Sequence, residues 1–258
     1  VNVKIISRNI NSLSENSKNV EKSFRTSVFS FLLMRIYKKS DHIVNQCEGM
    51  RTDLLSVFPE LKNKTSVIYN PVNKTIENYA RNVDFTKVEK QNYLLCVGRL
   101  EKQKAFHYAI EAFAGVAYKY PGLRLKIIGQ GSLEPSLKSL AISLNVSERI
   151  DFEGFQGNVI PYYLYAKATI LTSLYEGFPN VLIESITLGT PVVAVNCKSG
   201  PSEIIKSGCN GFIADYMSST SLIEKIDLLL QVEMKPYDVH ITSKVYSTNC
   251  IIKKWLEI

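Results

Sequence analysis

Histidine is scarce. The 258 residues hold three, His42, His107 and His240, far apart in the chain. No pair has metal-ligand spacing, so no metal site is indicated. The five cysteines, Cys47, Cys96, Cys197, Cys209 and Cys250, are odd in number and scattered, without a C-x-x-C. That argues against a disulfide framework and fits a reducing cytoplasm. Cys96 and Cys197 fall in apolar surroundings and read as small core residues. No apolar run is long enough to span a bilayer. The chain shows neither a signal peptide nor an initiating Met, so it reads as a piece of a longer one. Tyr93–Leu230 lacks a basic patch with interleaved aromatics, so no nucleic-acid partner is expected.

What is present is ordinary for a globular protein: 45% hydrophobic and 21% charged residues, ample for a core. The net charge of +7 suits an anionic partner, such as nucleotide phosphates or a membrane surface, although mild basicity is common.

In chain order, Val1–Ser7 is β-like and Arg8–Asn19 reads as a polar loop. Val20–Lys39 reads as a helix with Phe24, Val28, Phe31, Leu32 and Ile36 on one side. Arg25, Arg35, Lys38 and Lys39 ring it. Such a helix can lie on an anionic membrane, or face a core with its charged side solvated. Strands are expected at His42–Asn45 and Thr65–Tyr69, with a helix at Glu48–Val57 between them. The polar segment through Asn92 reads as a linker. From Tyr93 onward strands and helices alternate. Strands are expected at Tyr93–Val97, Leu123–Ile128, Ile150–Phe152, Thr169–Thr172, Pro191–Val195 and Gly211–Ala214. Helices are expected at Phe106–Tyr120, Leu133–Leu144, Val159–Tyr165, Pro179–Leu188 and Ser221–Leu230, with a last one at Tyr246–Ile258. This alternation predicts a doubly wound parallel sheet of α/β class.

The chain is organised around Thr169–Asn196, a strand, helix and strand in sequence. Val181, Leu182, Ile183, Ile186 and Leu188 cover most of the helix, so it should be buried all round, yet Glu184 sits in its middle. A buried carboxylate needs a partner. Glu176 stands in the loop at the carboxyl end of the preceding strand, where open α/β sheets bind ligands. The helix start behind Gly177-Phe178-Pro179-Asn180 offers unpaired amides to an anion. Two cations, Arg99 and Lys104, follow another strand end at Gly98-Arg99-Leu100 and suit a diphosphate. Gly129-Gln130-Gly131 closes the next strand. It lacks the third glycine of a dinucleotide fingerprint, which argues against a dinucleotide-dependent oxidoreductase.

The run Glu176-Gly177-Phe178-Pro179-Asn180-Val181-Leu182-Ile183-Glu184 resembles the E-x7-E motif of retaining GT-B glycosyltransferases of family 4. Gly98-Arg99-Leu100 with Lys104, Gly129-Gln130-Gly131, Glu153-Gly154-Phe155 and Gly200-Pro201-Ser202-Glu203 resemble further stretches of that family, in order, over Tyr93–Ala214. Ala105 departs from the pattern, which has Gly there. Alanine disfavours positive φ.

The resemblance implies a GT-B fold with two Rossmann-like domains, the first incomplete. Residues 1–69 would end the acceptor-side domain and 70–92 form a hinge. Residues 93–232 would bind the donor, and 233–258 form a tail whose helix returns to the first domain. It implies hexose transfer with retention from a nucleotide-diphosphate sugar, a UDP-sugar, to a glycan or polyprenyl-linked acceptor in bacterial surface polysaccharide synthesis. A non-catalytic nucleotide-sugar-binding remnant is the alternative. No cofactor and no metal are expected. The location would be cytoplasmic, with peripheral contact at the inner membrane left open. By the same resemblance Arg99, Lys104 and Glu176 carry the chemistry. Gly98, Gly129, Gly131, Phe155, Gly177, Phe178, Pro179, Asn180, Val181 and Glu184 complete the donor site, with Glu184 on the ribose and Phe155 near the base.

Overall fold

The computed structural model describes residues 3–10 and 24–258, with side chains of the first helix from residue 32 onward. Most of the loop expected over Arg8–Asn19, the helix start at Val20 and the side chains of Phe24, Arg25, Val28 and Phe31 lie outside the described residues.

Described elements follow in order as β1 (Ile6–Asn9), α1 (Phe24–Lys39), β2 (His42–Asn45), α2 (Glu48–Val57), β3 (Thr65–Val67), α3 (Lys74–Ala80), β4 (Tyr93–Val97) and α4 (Phe106–Ala117). Then come β5 (Arg124–Ile128), α5 (Glu134–Ser143), β6 (Ile150–Gly154), α6 (Ile160–Tyr165), β7 (Ala168–Leu171), α7 (Asn180–Thr187) and β8 (Val192–Val195). The chain ends with α8 (Pro201–Ile204), β9 (Gly211–Ala214), α9 (Ser219–Gln231), α10 (Pro236–Thr242) and α11 (Thr248–Leu256).

Two parallel sheets result. The smaller has the order β1-β2-β3 and the larger β6-β5-β4-β7-β8-β9. The larger order reverses between β4 and β7. That is a topological switch point, where a crevice opens at the carboxyl ends of the strands. Alternation along each strand divides the core. Tyr93, Leu95, Leu171, Val192 and Ala194 face one side with α7. Leu94, Cys96, Leu125, Ile127, Ile170 and Val193 face the other with α4, α5 and α9. Cys96 and Cys197 are both buried, as their apolar surroundings predict.

Three expectations change. In α1, Tyr37 is buried and Met34 packs with it against Leu54, Phe58 and Leu61. Leu32 and Ile36 are exposed instead, because the Met34–Tyr37 stripe is the one that meets the small sheet. The segment read as a linker is not free in solvent. It forms α3, and Val72, Ile76, Ala80 and Phe85 are buried in the core that holds α7. Helix α10, absent from the sequence reading, also packs on α7. Helix α11 returns to the smaller sheet, where Ile251 packs with Val44 and Ile68. Among the described residues no helix is long and apolar enough to cross a membrane.

Candidate active site

The switch point is built from the ends of β4 and β7. Beyond β4 the chain turns through Gly98, Arg99 and Leu100, and the next strand end is pressed against that turn. A Cβ on Gly129 would lie 1.8 Å from Gly98 O, and one on Gly131 would lie 2.3 Å from Leu100 O. Both glycines are required by backbone contact. Ala105 adopts the left-handed region, with φ 48 and ψ 43, at a cost of about 1 kcal/mol. The site keeps the turn that glycine would make without strain. Hydrogen bonds join it to the loop after β7. Thr172 Oγ1 donates to Lys104 O at 2.8 Å, Leu174 N to Gln103 O at 2.8 Å, and Gln103 Nε2 to Tyr175 O at 3.0 Å.

These turns bring Lys104 and Glu176 together. Lys104 Nζ donates to Glu176 Oε1 at 2.6 Å. Arg99 stands beside this pair in sequence but is exposed, and among the described residues it has no carboxylate partner. Its guanidinium is open to a ligand. Among the described residues no group of three or more His, Cys, Asp or Glu side chains forms a metal-ligand set.

Helix α7 starts at Asn180 with Pro179 at the cap and no capping side chain; Leu182 N donates to Pro179 O at 3.0 Å, and among the described residues no side chain fills the Asn180 and Val181 amides. It is anchored by Leu182, Ile183 and Ile186, all 0% exposed, at about 1.5–3 kcal/mol each. Val181 and Glu184 are half-buried, so the helix is not enclosed all round. Glu184 takes one hydrogen bond among the described residues, from Tyr163 Oη at 3.1 Å. Burial pushes the Glu184 carboxyl up, and the Tyr163 bond offsets part of that rise.

The smaller sheet closes the other side. Tyr69 stacks on Phe178, with ring centroids 5.2 Å apart. Cys47 caps α2, and burial pushes its thiol up to about 12. It is therefore a donor, and it donates to Gly177 O at 3.2 Å. Glu203 accepts from Glu48 N at 2.8 Å, Gly49 N at 2.9 Å and Tyr69 Oη at 3.2 Å. It thus fills the amino end of α2 from α8, the short helix that follows β8. Asn70 Nδ2 donates to Asn180 Oδ1 at 2.8 Å, so the Asn180 side chain is engaged across the seam. Phe155 is 73% exposed and none of these contacts includes it.

The profile described as glycosyl transferases group 1 matches residues 81–244. The chain belongs to this family. The N-acetylgalactosamine-N,N'-diacetylbacillosaminyl-diphospho-undecaprenol 4-alpha-N-acetylgalactosaminyltransferase of Campylobacter jejuni is 29% identical over 82% of this chain and 57% of its own length. The lipopolysaccharide 1,6-galactosyltransferase of Salmonella typhimurium is 34% identical over 66% of this chain and 47% of its own. The chain thus spans about half the length of the curated relatives it matches. The crystal structure of Anabaena HepE with UDP and glucose superposes with a TM-score of 0.78 at 19% identity, covering 98% of this chain and 70% of that one. That likeness shows the fold, which is GT-B.

Sequence reasoning missed Tyr163, Tyr69, Asn70 and Cys47, and left the role of Glu203 open. Tyr163 stood in a Tyr-rich turn with no spacing signal. The partners of Glu203 are 134 to 155 residues away, beyond the reach of any local pattern.

Proposed function

We propose that this chain is the donor-binding part of a glycosyltransferase that moves a hexose from a UDP-sugar to a glycan or polyprenyl-linked acceptor, with retention, in bacterial surface polysaccharide synthesis. One observation carries the reading. Arg99, which forms no ion pair among the described residues, and the Lys104–Glu176 pair stand at the switch point of the larger sheet. The E-x7-E loop and the uncapped start of α7 stand there too.

In this reading Arg99 and Lys104 hold the diphosphate and stabilise charge on the departing nucleotide, as preorganised donors do. No metal is required for that. Glu184 accepts from the ribose hydroxyls. Glu176 and the Phe178 and Asn180 amides orient the hexose, so Lys104 and Glu176 exchange part of their mutual contact for ligand contacts. The bond from the anomeric carbon to the phosphate oxygen breaks. The acceptor oxygen bonds to that carbon on the same face, and its proton passes to the departing phosphate. Relatives support the substrate classes by name, through an undecaprenol diphosphate-linked acceptor and a lipopolysaccharide galactosyl transfer. A neighbour holding UDP and glucose supports the donor. The reading places the chain in the cytoplasm, at the membrane face where a polyprenyl acceptor is presented.

Calorimetric titration with UDP, GDP and ADP, with and without chelator, tests this. Metal-independent binding of UDP is expected. Absence of binding to all three, or dependence on a divalent ion, would contradict it.

A further inference from the structure

Across the cleft from Glu176, the carboxyl edge of the smaller sheet carries polar side chains, and most have partners. Asn9 Nδ2 donates to Asn45 Oδ1 at 3.1 Å, and Asn45 Nδ2 donates to Ser66 O at 3.2 Å. Gln46, the next residue, is 9% exposed. Among the described residues its amide makes no hydrogen bond. It is not sealed from solvent either. Among the described residues, the buried side-chain oxygens that are both unpartnered and closed off are Ser173 Oγ and Ser199 Oγ. The amide therefore keeps some access to solvent beside the loop that carries Glu176.

Its position is fixed against the donor loop. A Cβ on Gly177 would stand 3.0 Å from Ile10 O, 3.3 Å from Met50 Sδ and 3.6 Å from Gln46 Oε1. The amide thus faces the residue that follows Glu176. The protein itself gives this amide no partner among the described residues, and an apolar side chain of the same length would fill the space without leaving a polar group unmatched. An amide offers donors and an acceptor together. Neighbouring hydroxyls of an uncharged sugar complement that pair.

We propose that Gln46 binds hydroxyls of the hexose on the nucleotide donor and sets which hexose the site accepts. This rests on the reading of the cleft as a nucleotide-sugar site. The smaller sheet then does more than cover the donor domain. It supplies a specificity residue, held in register by Cys47, whose thiol is bonded to Gly177 O.

The test is Gln46→Met, which keeps the length and removes the amide. UDP, UDP-glucose, UDP-galactose, UDP-N-acetylglucosamine and UDP-N-acetylgalactosamine are titrated into wild type and variant, and thermal stability is followed in both. Gln46→Met is expected to bind UDP within about twofold of wild type. It should lose about tenfold for the preferred UDP-sugar, equivalent to one or two hydrogen bonds. The spread among the four sugars should flatten. Stability should stay level, because the amide that is removed makes no hydrogen bond to the protein among the described residues. A purely structural Gln46 would instead lower stability and leave the spread intact, which overturns the proposal. An equal loss for UDP and UDP-sugars, or a wild type that does not discriminate among the sugars, overturns it as well. A wild type that binds no nucleotide removes the reading of the site and the proposal together. A wild type that binds UDP with an unchanged spread in the variant removes the proposal alone.

Discussion

Replacing Lys104 with Met separates what the Lys104–Glu176 pair does for folding from what either residue does for a ligand. The two atoms are 2.6 Å apart, and the side chains are 16% and 10% exposed. Removing one partner of a buried pair strands a charge and costs about 3–5 kcal/mol, whereas removing both is often neutral. The remaining exposure lets water reach Glu176, so the lower end, about 3 kcal/mol, applies. For a chain of this size, each kcal/mol lowers Tm by about 2–4 °C. Lys104→Met should therefore lower Tm by roughly 6–12 °C. Adding Glu176→Gln should recover most of the loss, because the neutral amide needs no cation. Circular dichroism melts of wild type, single and double variants decide the matter. A single variant as stable as wild type, or a double variant no more stable than the single, would refute the argument. The cycle also fixes how activity data are read. A loss of turnover in Lys104→Met alone mixes folding with the proposed phosphate contact, and the double variant is the background that separates them.

Two further outcomes are expected. Glu203→Ala frees the amino end of α2 and Tyr69 and should cost about 1.5–3 kcal/mol in urea denaturation. Tyr69→Phe should then cost less in that background than in wild type, and equal costs in both would count against a shared network. Tyr163→Phe removes the hydrogen bond that holds down the Glu184 pKa, which burial has already raised. Folded Glu184 keeps its proton to higher pH than unfolded Glu184, so stability falls as pH rises through that window. The variant should widen the window. Its deficit in Tm should be largest near neutral pH, shrink toward acid, and lose its pH dependence in a Glu184→Gln background.

The elements from Tyr93 to Gln231 were legible because each strand is a short apolar run closed by glycine or a polar turn. Cys96 in β4 and Val193 in β8 sit where the run predicts. The E-x7-E loop was legible as a motif, and its place at the switch point follows from the alternation of elements. The seam was not legible. Glu203 reads locally as a charge in the first turn of a short helix, yet its carboxylate fills the end of a different helix. The segment 70–92 is polar on average, and that average hid Val72, Ile76, Ala80 and Phe85, which are spaced to pack on the larger domain. Leu32 and Ile36 misled for the opposite reason. A stripe of apolar residues does not say which neighbour it meets, and the small sheet meets Met34 and Tyr37 instead. Glu184 was expected to need a partner, but nothing in the spacing named Tyr163, twenty-one residues earlier.

The most direct measurement compares UDP with uridine on wild type and Arg99→Ala by calorimetry. Arg99 is exposed and has no carboxylate partner among the described residues, so the substitution should leave folding unchanged. If Arg99 holds the diphosphate, UDP affinity should fall by at least tenfold, in keeping with the loss of a charged hydrogen bond at about 1.5–3 kcal/mol, while uridine binding stays within about twofold. An equal loss for both ligands, or none for either, would contradict the assignment of this switch point as a nucleoside diphosphate site.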